Sequence, residues 1–462
     1  PIRQAGTYWY HSHSGTQEQT GLYGALILEP RGREPYTYQR DHVVLLSDWT
    51  DEEPMTIVSN LKQQPDYYNR HRRTLGTFIG DTRRDGLGAT VEDRLMWGQM
   101  RMSPTDIMDV TGATYTFLMN GQPPAANWTA LFTPGENVRL RFINASAMTT
   151  FDVRIPGLDL RVVQADGSDV MPVTVEEFRI GVAETYDVIV RPRPQAYTIF
   201  AQAQDRSGYA RGTLAPRPGM AAAVPPLDPP PLRTMADMGM SHGGMSHGSH
   251  GTTGHGGHGG TDHAKMDHSK MDHAAMGHGM PAREIPVTNA DGVDPKRLKG
   301  LPSVDNVAED PKDRLGEAGT GLDGNGRRVL TYRDLRAIAP RRSPPPARAI
   351  EFHITGNMER WVWGFNGKKF SEAKAVRVKL GERVRFVMIN DTMMEHPIHL
   401  HGYLFEVENG QGDRLPLKHT INVKPGERMS FVFTADEPGH WAFHCHLLYH
   451  MEMGMFRTVL VS

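Results

Sequence analysis

The sequence has almost no cysteine: Cys445 stands alone in 462 residues. That excludes an intrachain disulfide framework, and it leaves the redox compartment unreadable from cysteine pairing. No apolar run reaches the roughly 18 residues that a bilayer-spanning helix needs. An excess of one charge is lacking too, since 51 basic and 53 acidic residues leave a formal net charge of -2. So small a charge gives no field to hold nucleic acid or an anionic membrane, and the expected partner is small. Helical periodicity sustained over three turns is hard to find, which argues against a bundle. No charged-then-apolar leader is visible, and Pro1 runs almost at once into strand-like sequence, so an upstream segment is expected.

What is present reads as β-structure. Gly24–Leu28, Val43–Leu46, Val138–Ile143, Tyr186–Val190, Val384–Ile389 and Met429–Phe433 are short apolar runs bounded by Gly, Pro, Asn or Asp. Short runs of this kind predict strands, hence an all-β chain of sandwich or barrel units. At about 150 residues per unit the length allows roughly three. We expect residues 1–35 to close a first domain, 36–215 to form a second and 326–462 a third, with 216–325 as a linker. The linker is Pro- and Ala-rich at first. From Met235 to Met280 it is built almost wholly from Gly, His, Met, Ser, Asp and Ala. Such a composition cannot bury a core. It pairs Met238, Met240, Met245, Met266, Met271, Met276 and Met280 with nine histidines from His242 to His278. Thioethers suit Cu(I) and imidazoles suit Cu(II), so weak labile copper sites are expected on it.

The densest chemistry lies near the carboxyl end. His444-Cys445-His446 is followed by His450 and Met455, and His396, His399 and His401 stand about 45 residues upstream. A blue copper site takes two imidazoles, a thiolate and a weak axial thioether. Cys445, His450 and Met455 supply three of these from one strand and its following loop, and the upstream cluster can supply the fourth. Side chains alternate faces along a strand. If Cys445 faces one metal, His444 and His446 face another, and His399 and His401 share a face while His396, offset by three, can turn toward Cys445. A third pair recurs at His11 and His13. A lone His-x-His means little; three, one of them straddling the only cysteine, are hard to obtain without a metal.

On these motifs the chain resembles the multicopper oxidases, and within them the copper-resistance protein A branch. The branch-level likeness rests on Leu46-Ser47-Asp48-Trp49-Thr50-Asp51-Glu52, the methionines from Met96 to Met108, Leu118-Met119-Asn120-Gly121, the Met/His linker, Thr355-Gly356-Asn357-Met358-Glu359-Arg360, and His444 to Met455. The resemblance implies consecutive cupredoxin-like Greek-key domains in a periplasmic protein. It implies that His396, Cys445, His450 and Met455 bind a type 1 copper, His399 the type 2 copper, and His11, His13, His401, His444 and His446 the paired type 3 coppers. The family carries one further His-x-His motif, absent here and expected before Pro1. Without it the cluster is short of ligands.

The implied activity is one-electron oxidation of a substrate coupled to reduction of dioxygen to water. Met96, Met100, Met102 and Met108, interrupted by Arg94, Gly98, Arg101, Ser103 and Asp106, read as a surface that collects Cu(I), which favours cuprous over purely phenolic oxidation. Met358, Met393 and Met394 either extend that surface or pack a core. Two rivals stay open: a copper-sequestering protein without physiological turnover, and a phenol laccase with an idle linker. Glu452 and Asp391 lie near the motifs, but neither is assigned a proton-relay role.

Overall fold

The computed structural model describes residues 4–240 and 285–462, so the histidines from His242 to His278 and the methionines from Met245 to Met280 lie outside the described residues. All six expected strands form, within Tyr23–Leu28, Arg40–Trp49, Val138–Asn144, Thr185–Val190, Arg383–Asn390 and Arg428–Thr434. They enter mixed sheets. Residues 40–215 build a six-stranded and a five-stranded sheet, and residues 287–461 a seven-stranded and another five-stranded one. A hairpin of Gly6–His11 with Tyr23–Leu28 stands apart from these four sheets. The inner faces share one apolar core, from Val44, Phe142 and Phe178 to Phe352, Phe386 and Phe443. Burial of such large side chains is the main favourable contribution to this fold.

The last five-stranded sheet positions the chemistry. Its strand His396–Leu400 pairs antiparallel with Gly439–Cys445, in the register Ile398 to Cys445 and His399 to His444. This register alone brings the two distant histidine motifs together.

Three expectations need correction. Three helices of about three turns do form, Pro54–Gln63, Leu75–Asp85 and Leu87–Gln99. The first buries Pro54, Ile57, Val58 and Leu61 along one short stripe. The second buries no residue and the third only Thr90 and Trp97, so these two lack the wide apolar stripe by which a helix is read from sequence. His450 lies in a one-turn helix, Leu448–Glu452, and not in an irregular loop. Met238 is fully buried in the turn Ala236–Met238, and Met240 packs on the core, so these two thioethers pack against apolar neighbours where labile copper was expected.

Asp391 has a structural partner. Its carboxylate lies 2.7 Å from Nδ1 of buried His353, whose Nε2 faces Glu351 at 3.5 Å. Burial opposes a charge on His353, but the hydrogen bonds and charges of Asp391 and Glu351 outweigh it and raise its pKa from 6.5 to about 9. The same pairing holds Glu351 at about 2. A raised folded-state pKa gives stability that is complete below 6.5 and lost as the pH climbs through about 9. Melting temperature should therefore fall across that window. His353→Phe should flatten the fall and cost about 1.5–3 kcal/mol at neutral pH, the worth of a hydrogen bond to a charged group. A melting curve series against pH checks this.

Candidate metal centre

The three expected donors from two motifs meet in the core. Cys445 Sγ lies 3.6 Å from His396 Nδ1 and 4.0 Å from His450 Nδ1, and the two Nδ1 atoms are 3.3 Å apart. All three residues are completely buried. Donors about 2.0–2.3 Å from one central ion span edges of this size, so the triangle fits a single metal. Met455 is also fully buried; its backbone carbonyl accepts from Cys445 N and its amide donates to His450 O.

The outer nitrogens of the two imidazoles are occupied, which leaves Nδ1 of each for the metal. His396 Nε2 pairs with Thr392 Oγ1 at 2.7 Å, and His450 Nε2 with Asp109 Oδ2 at 2.6 Å. The other Asp109 oxygen accepts from Trp361 Nε1 at 3.1 Å. Trp363 stacks on His450 with ring centroids 3.8 Å apart and planes 24° from parallel. Its slot exists because residue 356 is glycine; a Cβ there would meet the indole at 2.5 Å. Sequence reasoning missed Asp109, Trp363 and Thr392. An acidic residue 341 positions from its histidine carries no periodic signal.

His444 and His446 point away from Cys445, as strand alternation requires. Each joins a separate donor group: His13, His401 and His444 in one, His11, Glu18 and His446 in the other. His401 Nε2 and His444 Nε2 are 3.1 Å apart, and His446 Nε2 and His11 Nε2 are 3.3 Å apart. His399 joins neither group, but its ring stands 4.6 Å from His401 and 5.6 Å from both His444 and His446. Its Nδ1 is tied to the carbonyl of His419 at 2.7 Å. That tie orients its Nε2 edge. A cleft of about 770 Å³ opens over these histidines, lined by Trp9, His11, His13, His399, His401 and His446.

Glu18 is the unforeseen member. Its Oε2 lies 2.6 Å from His11 Nδ1, on the ring edge opposite the Nε2 that approaches His446. The contact therefore orients the imidazole, in the manner of carboxylate–histidine–metal arrangements. Burial pushes Glu18 well above its ordinary range, with Asp48 adding to it, and pulls His11 down to about 4. His13 and His401 likewise fall to about 4 and about 3, chiefly through burial. Neutral imidazoles with free lone pairs are the form that binds a transition metal. The Cys445 thiol is pushed up by burial, so an incoming metal must displace its proton. Imidazole with thiolate is the donor chemistry of copper.

The methionines divide. Met96 is partly exposed and Met100 and Met102 half-buried, whereas Met108, Met358, Met393 and Met394 are buried in the core. Glu452 ends the one-turn helix Leu448–Glu452.

Comparison with known proteins agrees with this geometry. Family models described as multicopper oxidase match residues 1–33, 40–219 and 343–462. The copper resistance protein A homolog of Pseudomonas syringae pv. tomato is 55% identical over all of this chain, which spans 77% of that relative's length. Copper resistance protein A of Escherichia coli is 54% identical, again over the whole chain and 78% of its own length. Among solved structures, Fet3p, a multicopper oxidase that functions in iron import, aligns over 100% of this chain and 73% of its own at 16% identity, with a TM-score of 0.61. The laccase of Botrytis aclada aligns over 99% and 70% at 17% identity, with a TM-score of 0.58. With a thiol between two imidazoles, paired histidines on the opposite strand face, and relatives this similar, the chain belongs to the multicopper oxidase family.

Proposed function

We infer that this chain oxidises Cu(I), and phenols less selectively, and delivers the electrons to dioxygen as part of periplasmic copper resistance. The carrying observation is that Cys445 sits between His396 and His450 while its chain neighbours, His444 and His446, enter two other donor groups. The resistance role is carried over from the names of the near relatives, and the periplasmic location from the family resemblance.

On this reading His396, Cys445 and His450, with Met455 buried beside them in sequence, would hold the type 1 copper. His13, His401 and His444 hold one type 3 copper, His11 and His446 contribute to the other, and His399 serves the type 2 copper. Copper in these places supplies reversible one-electron chemistry. The protein's share is placement. Asp109 and Thr392 fix the two imidazole tautomers, and burial excludes water from the thiol. Backbone joins Cys445 directly to His444 and His446, giving electrons a route of a few bonds. The histidine-lined cleft gives a small molecule access to the second region. Residues Met96, Met100 and Met102 offer soft donors on the exposed side of the methionine stretch.

Oxygen uptake by the copper-loaded protein with Cu(I) and with a phenol tests the reading. Uptake with Cu(I) is expected when a further His-x-His pair completes the paired-copper cluster; firm copper binding without uptake in that complete protein would leave only sequestration. Removing residues 241–280 is expected to lower cuprous turnover while phenol turnover stays, and equal loss of both would remove the copper-collecting role. Glu18→Gln is expected to weaken metal retention by the His11 and His446 pair roughly tenfold, the lower end for loss of an orienting carboxylate. Metal content after dialysis against a graded chelator measures it.

A further inference from the structure

Four tyrosines run from the metal-bearing loop to the surface. Tyr449, fully buried, lies between His446 and His450 in sequence. Its hydroxyl donates to Gln19 Oε1 at 3.1 Å, and the hydroxyl of buried Tyr115 donates to the same oxygen at 2.5 Å. Gln19 in turn follows Glu18, the residue that orients His11. Tyr68, also buried, is tied to the neighbourhood of Tyr115 by three bonds. Glu52 accepts from Tyr68 Oη at 2.6 Å and from Thr114 Oγ1 at 2.6 Å, and Thr111 Oγ1 donates to the Tyr68 carbonyl. Finally the rings of Tyr68 and Tyr67 meet edge to face at 4.8 Å, and Tyr67 is 48% exposed.

Apolar packing alone does not call for this set. Phenylalanine fills a core as well and brings no hydroxyl that must find a partner. The series also holds a redox-suitable pair one step before its exposed end, the Tyr68 phenol bonded to the half-buried carboxylate of Glu52. Electron tunnelling weakens exponentially with distance, so several short hops outrun one long one.

We propose that Tyr449, Tyr115, Tyr68 and Tyr67 form a protective conduit that carries oxidising equivalents from the copper centre to the surface when reducing substrate is scarce. The inference rests on the copper oxidase reading above, which supplies dioxygen and hence peroxide-level oxidants. Tyr68 gives up one electron, passed inward through Tyr115 and Tyr449, and its phenolic proton crosses to Glu52. Tyr67 gives its electron to Tyr68 as Glu52 returns the proton, and Tyr67 loses its own proton to water; an external thiol then gives Tyr67 a hydrogen atom, and two of the resulting thiyl radicals couple to a disulfide. Two such electrons, with two protons from solvent, convert one hydrogen peroxide to two waters. Without the conduit the same oxidant attacks Cys445, Met455 or the histidines, which lie closer.

The test uses the full chain, copper-loaded, reduced with ascorbate, freed of reductant and mixed with hydrogen peroxide. Freeze-quench electron paramagnetic resonance reads tyrosyl radical, peptide mass spectrometry reads oxidation and dityrosine at Tyr67, and the blue absorption reads surviving copper sites. The native protein is expected to give radical and modified Tyr67. Tyr68→Phe is expected to lose both and to bleach several-fold faster, and Tyr67→Phe, a surface change that leaves the core intact, to keep the radical but lose dityrosine. Tyr197→Phe, outside the chain, should match the native protein. Native radical yield and Tyr67 modification in Tyr68→Phe, or equal signals in copper-free protein, would overturn the conduit. Oxygen uptake with substrate is measured separately: radical transfer without uptake retains the conduit and removes the oxidase reading, and uptake with Tyr68-independent radical does the reverse.

Discussion

Cys445→Ser is expected to abolish the blue thiolate-to-copper absorption and to reduce oxygen uptake to the uncatalysed level, while the fold persists. Serine is close in size to cysteine, so the fully buried site in the strand Gly439–Cys445 tolerates it sterically. The chemistry does not survive. A hydroxyl stays protonated where a thiolate forms on metal binding, and it offers no polarisable sulfur to a soft ion. His396 and His450 would remain 3.3 Å apart with no anionic third donor. Because Cys445 also carries the route to His444 and His446, no parallel path restores turnover. Absorption, copper content and a melting curve on the same sample separate loss of chemistry from loss of fold; a retained blue band in this variant would defeat the assignment.

Asp109→Ala comes next in size. It would strip His450 Nε2 and Trp361 Nε1 of their shared acceptor in a dry site. An unpaired buried donor costs about 1–3 kcal/mol of stability. Loss of a carboxylate bonded to a metal-ligating imidazole costs roughly 10- to 100-fold in metal affinity or activity. The imidazole would also become less electron-rich, which disfavours the higher oxidation state, so the reduction potential of the blue site should rise. Asp109→Asn keeps one acceptor oxygen and should recover part of each effect. Redox titration followed by the blue band reads the potential, and chelator competition reads the affinity. An unchanged potential in Asp109→Ala would show that the carboxylate serves packing only.

These two residues mark the limit of what could be read along the chain. Cys445 was legible because its neighbours His444, His446, His450 and Met455 lie within eleven positions, where strand alternation and a short turn fix which side chains can meet. The same alternation separated His396 from His399 and His401. Apolar runs such as Val43–Leu46 were legible as strands because aliphatic side chains buried or half-buried on both faces leave a continuous hydrophobic stretch. The helices Leu75–Asp85 and Leu87–Gln99 were not, since their apolar residues Leu75, Ile79, Leu87 and Leu95 stay exposed and the usual core-facing stripe is missing. Met238 and Met358 looked like donors in composition, yet packing places both in the core. Whether a thioether coordinates or packs depends on what surrounds it, which composition does not carry.

The sequence by itself determined the kind of chemistry: one thiolate, a thioether and three His-x-His pairs at spacings that local backbone geometry turns into ligand sets. Only the tertiary structure decided which groups hold those ligands in place. Asp109 reaches His450 from 341 residues away, Glu18 reaches His11 across a loop, and His419 steadies His399 through a backbone carbonyl. The reason is that ligand type and periodicity are local properties of the chain, whereas a hydrogen bond between distant segments exists only after sheets have packed and excluded the water that would otherwise satisfy those groups.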